Sequence, residues 1–373
     1  MILKSLTLKH LRNHKKKFFT FSKTTIIIGR NTAGKTNIIE ALYILSHGTS
    51  FRAERDIDVI EEGNEYMNIT GEIETQDEMI KLSATFAHST SSGQAHSTSS
   101  PRSSGQAGQA HSTSSYLSKK YTINDIARSL RTFTDYFFTV LFTPQDIEIV
   151  TDTPTIRRRY IDIILSKSHK EYRIALSKYE KALRQRNRML HDAKTGKKIY
   201  KREDYLFWEN FLIEHGTTIH TFREEFIKYV NQGVKDIFKF TAVYDHSIIS
   251  VERLFKYHFE ESAAGVTLIG PQRDDIQFLF PNTNKEIKEF GSRGEQRLTV
   301  LQLKLIEIEY IKQATGETPV LLLDDIFSEL DTQNIDKIYE FIEDQQTIIT
   351  TTHKEFVPKK ILRQENLTII ELS

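Results

Sequence analysis

The stretch "TTIIIGRNTAGKTNIIEALYILS", residues 24–46, decides the fold of this chain. A short β-branched run ends in a glycine, which is typical of a buried parallel strand, and apolar residues then recur at Ile38, Leu42 and Leu45 on one helical face. The octet GRNTAGKT between them, residues 29–36, fits the spacing G-x-x-x-x-G-K-S/T. A strand, a glycine-rich turn and a helix in this order predict a phosphate-binding loop, or P-loop.

The residue types of the P-loop fit the chemistry of a nucleoside triphosphate. Glycines allow backbone N–H groups to approach phosphate oxygens closely, and the N-terminus of the following helix adds a positive partial charge. Lys35 is predicted to reach the β- and γ-phosphates, and Thr36 is predicted to hold Mg²⁺. The sequence therefore predicts ATP and Mg²⁺ as cofactors, with the nucleotide contacted by Gly29, Arg30, Asn31, Thr32, Ala33, Gly34, Lys35 and Thr36.

A second strand, in "PVLLLDDIFSELD", residues 319–331, carries two carboxylates at its C-terminal end. Ligands bind beyond this end of the strands in open α/β sheets. Asp324 is predicted to bind Mg²⁺, and Asp325 is predicted to orient and deprotonate the attacking water. Two adjacent acids at the end of a buried strand are costly without a cation or hydrogen-bond donors, which argues against an ordinary polar turn.

A second helix start lies in "GSRGEQRLTVLQLKLIEIEY", residues 291–310. Ser292, Gly294 and the first backbone amides of this helix are predicted to form a second anion site, because a helix N-terminus presents unpaired N–H groups and the positive end of a dipole. Taken alone, a serine at a helix start is most often an N-cap. The predicted anion site therefore depends on the motifs that accompany it.

The composition bounds the class of protein. The chain has 373 residues, more than one hydrophobic core usually fills, so we expect a large domain with a smaller lobe. The absence of cysteine excludes disulfides and thiolate metal sites. The N-terminus lacks the apolar run of a signal peptide, and no stretch approaches the roughly 20 apolar residues of a membrane span. We therefore expect a soluble, cytoplasmic protein with no membrane partner.

The formal net charge of +1 conceals an uneven distribution. Residues 157–202 contain sixteen lysines and arginines against four carboxylates, a net charge of +12, so the rest of the chain carries −11. The scarcity of acids argues against an ordinary solvated helix face and predicts sequence-independent binding to DNA phosphates. The predicted DNA contacts are Arg157, Arg158, Arg159, Arg184, Arg186 and Arg188, and the first three are also candidates for structural ion pairs.

The remaining patterns divide the chain into segments. Alternation over residues 66–86 predicts a β-hairpin, and residues 87–115, which repeat AHSTSS three times, are predicted to be a disordered loop without chemistry. Helical spacing of apolar residues from Tyr172 to Phe226 predicts a helical hairpin whose aromatic residues serve packing. We expect an ATPase head formed by residues 1–152 and 262–373, with a helical lobe inserted at 153–261.

Several motifs resemble those of the ABC ATPases. "SRGEQ" resembles their signature motif, in which the helix end binds the γ-phosphate of ATP held by another subunit. "SELD", residues 328–331, resembles their D-loop, and "TTTH", which ends at His353, resembles the segment of the switch histidine. The resemblance implies an ATP-dependent homodimer with Ser292, Gly294 and Gln296 on the ATP of the second subunit, and it implies Gln145 as the Q-loop residue.

A narrower resemblance is to the RecF family of bacterial recombination-repair ATPases, which are related to SMC heads. It covers nearly the whole chain apart from the serine-rich repeat. It implies an α/β fold, an ABC/SMC-type P-loop ATPase head with an inserted helical lobe, and a weak, DNA-stimulated ATPase that acts as a switch. The implied partners are double-stranded and single-stranded DNA, RecO, RecR and, indirectly, RecA. The motifs that carry it are LRNH, GKTNIIEALYIL, SFRAERD, FTPQDIEIV, RRRYID, YEKALRQRNRML, IGPQRDDI, GSRGEQR and LLLDDIFSELD.

Some positions depart from the family pattern. Thr32 stands where the family more often has glycine or alanine, and Arg293 or Glu295 stands where it commonly has glutamine. Asp325 replaces the glutamate that is usual in ABC proteins but agrees with RecF, and its shorter reach indicates slow hydrolysis. The resemblance also implies Arg12 and Arg52, with His353, as further candidates near the nucleotide.

Two other functions fit the same motifs. The ATPase subunit of an ABC transporter would couple to a membrane partner and bind little DNA. A general SMC-like clamp would hold DNA without a role in repair. A salt-dependent DNA titration separates the first alternative from RecF, and binding to RecR separates the second.

Overall fold

The computed structural model describes residues 1–75, 78–89, 116–328, 342 and 344–372. The predicted disordered loop 87–115 lies outside these residues except for positions 87–89, which continue a strand. Of the residues that resemble a D-loop, 328–331, only the backbone of Ser328 is described, and the other three lie outside the described residues.

The described residues form strands and helices in mixed order. The strands are β1 (Ile2–Leu11), β2 (His14–Thr20), β3 (Thr24–Gly29), β4 (Tyr66–Glu74), β5 (Met79–Ser89), β6 (Tyr116–Ile123), β7 (Ile126–Arg128), β8 (Thr139–Phe142), β9 (Thr241–Asp245), β10 (Asp275–Leu279), β11 (Val320–Asp324), β12 (Thr347–Thr351) and β13 (Leu367–Leu372). The helices are α1 (Lys35–His47), α2 (Leu130–Phe133), α3 (Glu148–Thr151), α4 (Pro154–Ser168), α5 (Lys170–Lys194), α6 (Arg202–Gln232), α7 (Val251–Lys256), α8 (His258–Ala264), α9 (Ile287–Phe290), α10 (Arg293–Thr315) and α11 (Lys359–Leu362). None of the helices in this part of the chain is long and apolar enough to cross a membrane.

The chain divides into two compact units. Unit 1 consists of Met1–Thr139 with Gln346–Ser373, and unit 2 consists of Val140–Gln345. The sequence-based limits of an inserted lobe, 153 and 261, stay a prediction.

A parallel sheet in unit 1 carries the P-loop. β3 runs between β12 and β13 and is parallel to both, with Ile26 opposite Ile349 on one side and Ile369 on the other. Ile26 and Ile27 are fully buried, as a continuous apolar run in a parallel strand requires. The predicted strand before the glycine turn and the predicted helix after it are confirmed.

An antiparallel sheet of six strands also belongs to unit 1, in the order β2-β1-β4-β5-β6-β7. The predicted hairpin is its β4–β5 pair, with Thr70 opposite Ser83. Buried residues such as Ile69 and Leu82 alternate with polar ones, so one face of this sheet packs inward and the other is polar.

Unit 2 contains the predicted helical hairpin, in which α5 packs against α6. Tyr172 and Tyr179 on α5 are buried, and Phe226 on α6 is buried against Tyr310 of α10, which confirms that these aromatic residues serve packing. Phe207 differs, because 59% of it is exposed near the start of α6. In the same unit β11 lies next to β8, and Leu322 in β11 is fully buried.

A buried carboxylate, Asp274, joins distant elements of unit 2. Its oxygens accept hydrogen bonds from Arg223 Nη1 at 2.7 Å, from the backbone N–H of Ser247 at 2.8 Å and from the hydroxyl of Tyr244. Burial alone would raise the pKa of Asp274, but the hydrogen bond from His220 and the charge of Arg223 hold it below its ordinary value. The ionised side chain therefore ties α6 to β9 and to the start of β10.

Candidate nucleotide-binding site

The P-loop between β3 and α1 has a backbone that depends on its glycines. Gly34 has φ +96°, and a Cβ there would lie 2.6 Å from the ring of His14. A Cβ on Gly29 would lie 3.0 Å from the Cβ and the carbonyl oxygen of Leu372. Thr32 also has a left-handed backbone, with φ +74°, although β-branched residues strongly disfavour that region. The loop is therefore strained at Thr32.

Lys35, the first residue of α1, turns its side chain back into the loop. Its ammonium group donates hydrogen bonds to the carbonyl oxygens of Gly29 at 2.7 Å and Arg30 at 3.1 Å. The residue is only 7% exposed. The predicted phosphate ligand Lys35 is thus held at the loop by the loop's own carbonyl groups, next to the backbone amides that open α1.

The turn between β1 and β2 supports the P-loop from outside. Asn13 Nδ2 donates to the carbonyl oxygen of Thr32 at 3.2 Å, and His14 Nε2 lies 3.1 Å from the carbonyl oxygen of Gly34. Because a carbonyl oxygen only accepts, His14 carries its proton on Nε2. Burial lowers the pKa of His14, so the ring is neutral near pH 7. The motif LRNH was visible in the sequence, but the support that Asn13 and His14 give to the loop was not predicted.

A buried glutamate on α1, Glu40, was missed by the sequence interpretation. It is bound by Arg12 at 2.8 Å and Arg52 at 2.9 Å, and the hydroxyl of Ser50 donates to it at 2.6 Å. Burial alone would raise the pKa of Glu40, but these donors hold it below its ordinary value. The only signal in the sequence was a single acid inside the apolar helix IIEALYIL. Arg12 and Arg52, both predicted near the nucleotide, are held together beside α1 by this carboxylate.

The segment of His353 lies at the same edge of the parallel sheet as the P-loop. Thr351, the last residue of β12, is opposite Ile28 of β3, and the two strands are parallel. The chain therefore leaves β12 beside the point where the P-loop begins. His353 itself is exposed, with its ring in edge contact with Phe356 at 5.5 Å between centroids.

Unit 2 carries the two predicted carboxylates at the end of β11. Asp324 is the last residue of the strand and is 7% exposed, and Asp325 follows with φ +54°, a conformation that aspartate tolerates better than most residues. Gln145 is exposed in the short 3₁₀ helix Pro144–Ile147. The Thr36 hydroxyl and the Asp324 carboxylate are hard oxygen donors, the class that Mg²⁺ prefers.

The start of α10 is open to solvent. Ser292 is its N-cap and forms a capping box with Glu295, whose carboxylate accepts the Ser292 backbone N–H at 2.8 Å. Ser292, Arg293 and Gly294 are exposed, and the nearest atom to a Cβ built on Gly294 is the Ser292 hydroxyl at 4.0 Å. The spacing S-x-x-E is typical of a capping box, but this capping box was not predicted from the sequence. Glu295 thus folds back onto its own helix start.

Gln296 differs from the other signature residues. It is 7% exposed, and its amide donates to the carbonyl oxygens of Lys288 at 3.1 Å and Gly291 at 3.3 Å. Gln296 therefore ties α10 to the end of α9 through its amide, and its predicted contact with ATP stays a prediction.

The first three predicted DNA contacts differ in exposure. Arg157 is buried and forms a bidentate pair with Asp275, at 2.7 and 3.0 Å. Arg158 is half-buried and donates to the carbonyl oxygen of Asp274 at 2.6 Å. Arg159 is exposed. Of the two roles considered for Arg157, the structural ion pair fits the structure, because the buried guanidinium has no surface left for a phosphate.

The arginines on α5 alternate in the same way. Arg184 and Arg188 are exposed, whereas Arg186 between them is completely buried. Arg186 Nη2 donates to Glu261 at 2.6 Å and to Glu209 at 3.1 Å. The structure corrects the prediction for Arg186, because a guanidinium enclosed by two carboxylates holds α5, α6 and α8 together and offers nothing to DNA.

Comparison with known proteins agrees with these motifs. The family model described as "RecF/RecN/SMC N terminal domain" matches residues 2–370. The DNA replication and repair protein RecF of Latilactobacillus sakei is 30% identical over 97% of this chain and 95% of its own length. That of Agathobacter rectalis is 32% identical, with 96% and 95% covered. This chain belongs to the RecF family.

A solved RecF structure also resembles the chain. The structure described as the recombination mediator protein RecF-ATPrS in the RecFOR pathway has a TM-score of 0.81 and 28% identity, and the match covers 96% of this chain and 94% of that one. A second, described as RecF-ATP in the same pathway, has the same TM-score of 0.81. The predicted fold class, an α/β ATPase head of the ABC/SMC type, is confirmed.

The strain at Thr32 predicts a gain from glycine at this position of the RecF loop. Thr32→Gly removes a left-handed penalty of roughly 1–2 kcal/mol, and the greater freedom of the unfolded chain takes back roughly 0.4–1 kcal/mol. We expect the free energy of unfolding in urea to rise by about 0.5–1 kcal/mol, whereas Thr32→Ala, which keeps a Cβ, gains less. A glycine variant no more stable than the alanine variant would contradict this account.

The exposure of the α5 arginines predicts opposite results for neighbours. Arg186→Ala removes the buried cation between Glu261 and Glu209, of which Glu209 keeps Arg202 at 2.6 Å, and is expected to cost about 3–5 kcal/mol of unfolding free energy. Arg184→Ala, at an exposed site, is expected to cost less than about 0.5 kcal/mol. Urea titrations of both variants check this, and equal, small effects would show that the Arg186 cluster is not a structural tie.

Proposed function

We propose that this chain is an ATP-dependent DNA-binding protein of recombinational repair and replication restart, which dimerises when it binds ATP. The observation that carries the proposal is the exposed N-terminus of α10, with free space around Gly294. Water solvates the N–H groups of an exposed helix end unless a ligand takes its place. An exposed helix end with small residues suits a phosphate brought by a second molecule.

Within each subunit, the residues of the P-loop hold the triphosphate. Lys35 neutralises the β- and γ-phosphates, and the backbone amides at the start of α1 donate to their oxygens. Thr36 and Asp324 would hold Mg²⁺, which neutralises charge on the phosphates when it is bound. Asp325 orients the attacking water and accepts its proton. The short reach of an aspartate makes this hydrolysis slow, as a switch requires.

Between subunits, the α10 end binds the γ-phosphate of ATP held by a second copy of the chain. Gly294 contributes an exposed backbone N–H group, Ser292 holds this turn in place through its capping box with Glu295, and the helix dipole adds positive charge. Hydrolysis removes the shared γ-phosphate, so the contact between the two copies is lost. Nucleotide state is thereby converted into assembly state.

Binding to DNA uses exposed cationic side chains and no base-reading contact. Arg159, Arg184 and Arg188 remain available from the predicted set, because each is exposed. They favour duplex or gapped DNA without sequence preference. Family membership supports RecO, RecR and, through them, RecA as partners in RecA loading, and it supports a cytoplasmic location.

Two serine caps provide a matched test of the dimer contact. Ser292 accepts the N–H of Glu295 at 3.3 Å, and Ser250 at the start of α7 accepts that of Arg253 at 3.2 Å. Each change to alanine should cost about 1 kcal/mol of stability. Only Ser292→Ala is expected to weaken ATP-dependent dimerisation, measured by sedimentation velocity at saturating ATP. Equal dimerisation of the two variants would refute the role of the α10 end.

Replacement of the proposed base separates ATP binding from hydrolysis. Asp325→Asn cannot accept a proton from water, so ATP turnover is expected to fall by roughly 10²–10⁴-fold while the ATP-bound dimer persists. Light scattering over time after addition of ATP measures how long the dimer persists, and phosphate release followed in parallel measures turnover. Lys35→Ala is the control that stays monomeric. An Asp325→Asn chain that remains monomeric at saturating ATP would exclude the switch.

A further inference from the structure

The outer face of the six-stranded sheet in unit 1 carries a row of side chains that neither the nucleotide nor the proposed α5 contacts use. The strand register aligns this row across five strands: Lys16 is opposite Lys9, Lys9 is opposite Asn68, Asn68 is opposite Thr85, and Thr85 is opposite Lys120. With strands spaced about 4.8 Å apart, the row spans roughly 19 Å. It contains cations and neutral hydrogen-bonding groups but no carboxylate.

The three lysines of the row are exposed, and none forms an ion pair within the described residues. Lys9 and Lys16 are directly opposite each other, an arrangement of like charges that destabilises a sheet. Lysines on an edge strand often prevent aggregation, and β2 is an edge strand. That explanation does not cover Lys9, because β1 is paired at this residue with β2 on one side and with β4 on the other. An anionic ligand accounts for all three lysines.

The next row of the same face adds an aromatic ring and hydroxyl groups. Phe18 is opposite Thr7, which is opposite Thr70, and Phe18 is 64% exposed. Phe18 follows Lys16 by two residues, so the two side chains project from the same face about 6.6 Å apart along the strand. A positive surface with an exposed aromatic ring fits single-stranded nucleic acid, whose phosphates bind lysines while its bases stack on rings.

We propose that this outer sheet face is a binding site for single-stranded DNA, in which Lys9 and Lys16 bind phosphates and Phe18 stacks on a base. The inference rests on the proposed DNA-binding function and deepens it, since a DNA gap presents single strand beside duplex. The same hairpin ends in Asn13 and His14, which hold the P-loop. DNA on this face therefore lies on the strands that support the nucleotide loop.

A double variant, Lys9→Gln with Lys16→Gln, tests the phosphate contacts in the full chain. Its matched control is Lys23→Gln with Lys359→Gln, two exposed lysines of unit 1 outside this sheet. The probe is a fluorescent oligothymidylate, titrated at several sodium chloride concentrations with anisotropy as readout. Loss of two phosphate contacts should reduce the salt slope by about 1.4 and the affinity by roughly tenfold, and the control should bind like the parent chain.

A third variant, Phe18→Ser, tests stacking. Single-strand affinity is expected to fall roughly 5- to 150-fold, while affinity for a blunt duplex changes little. Thermal melts establish that each variant is folded, and the lysine variant should be at least as stable as the parent because like-charge repulsion is removed.

The outcomes separate this inference from the function on which it rests. Unchanged oligothymidylate binding in the lysine variant overturns the proposal, and poorer solubility in that case identifies Lys16 as edge protection. A Phe18→Ser chain that binds single strands like the parent overturns it as well. If Arg184→Gln with Arg188→Gln still loses duplex affinity in those cases, the proposed DNA-binding function stands. A parent chain that binds no DNA removes both.

Discussion

The nucleotide site depends on hydrogen bonds that hold the P-loop in a conformation its residues disfavour. Asn13 and His14, from the turn between β1 and β2, bind the carbonyl groups of Thr32 and Gly34. Both loop residues have positive φ, and for a threonine that costs roughly 1–2 kcal/mol. The inner carbonyl of Gly29 is bound by the ammonium group of Lys35. The loop is thus fixed from outside by the hairpin turn and from inside by its own lysine, which prepares its amides for phosphate.

The start of α10 in unit 2 differs from the P-loop, because it is exposed and is held by its own capping residues. The capping box satisfies the backbone N–H groups of Ser292 and Glu295, and the amide of Gln296 fixes α10 to the end of α9. The helix is therefore held where it begins, yet among the described residues the nearest atom to a Cβ on Gly294, apart from the adjacent residues and the helix backbone, is the Ser292 hydroxyl at 4.0 Å. A rigid, open helix end binds an incoming phosphate without a large ordering cost. This is the physical basis on which one copy of the chain would bind the γ-phosphate of ATP held by another.

The sequence predicted best where local chemistry is decisive. The strand-turn-helix at 24–46 was predictable because glycine spacing and helical periodicity are local, and the hairpin of β4 and β5 followed from alternation. Burial of individual charges was not predictable from the charge count. Arg184, Arg186 and Arg188 look alike in the sequence, but only Arg186 faces Glu209 and Glu261, whose positions depend on packing of distant helices. Glu40 was missed for the same reason, since its arginine partners come from other elements.

If nucleotide controls assembly, the mass of the unmodified chain in solution depends on which nucleotide is bound. Sedimentation equilibrium with saturating ATP and magnesium, compared with the same sample in ADP and without nucleotide, measures that mass. We expect a dimer in ATP and a monomer in the other two conditions. A mass that is the same in all three conditions, at concentrations where ATP binding is saturated, would contradict it.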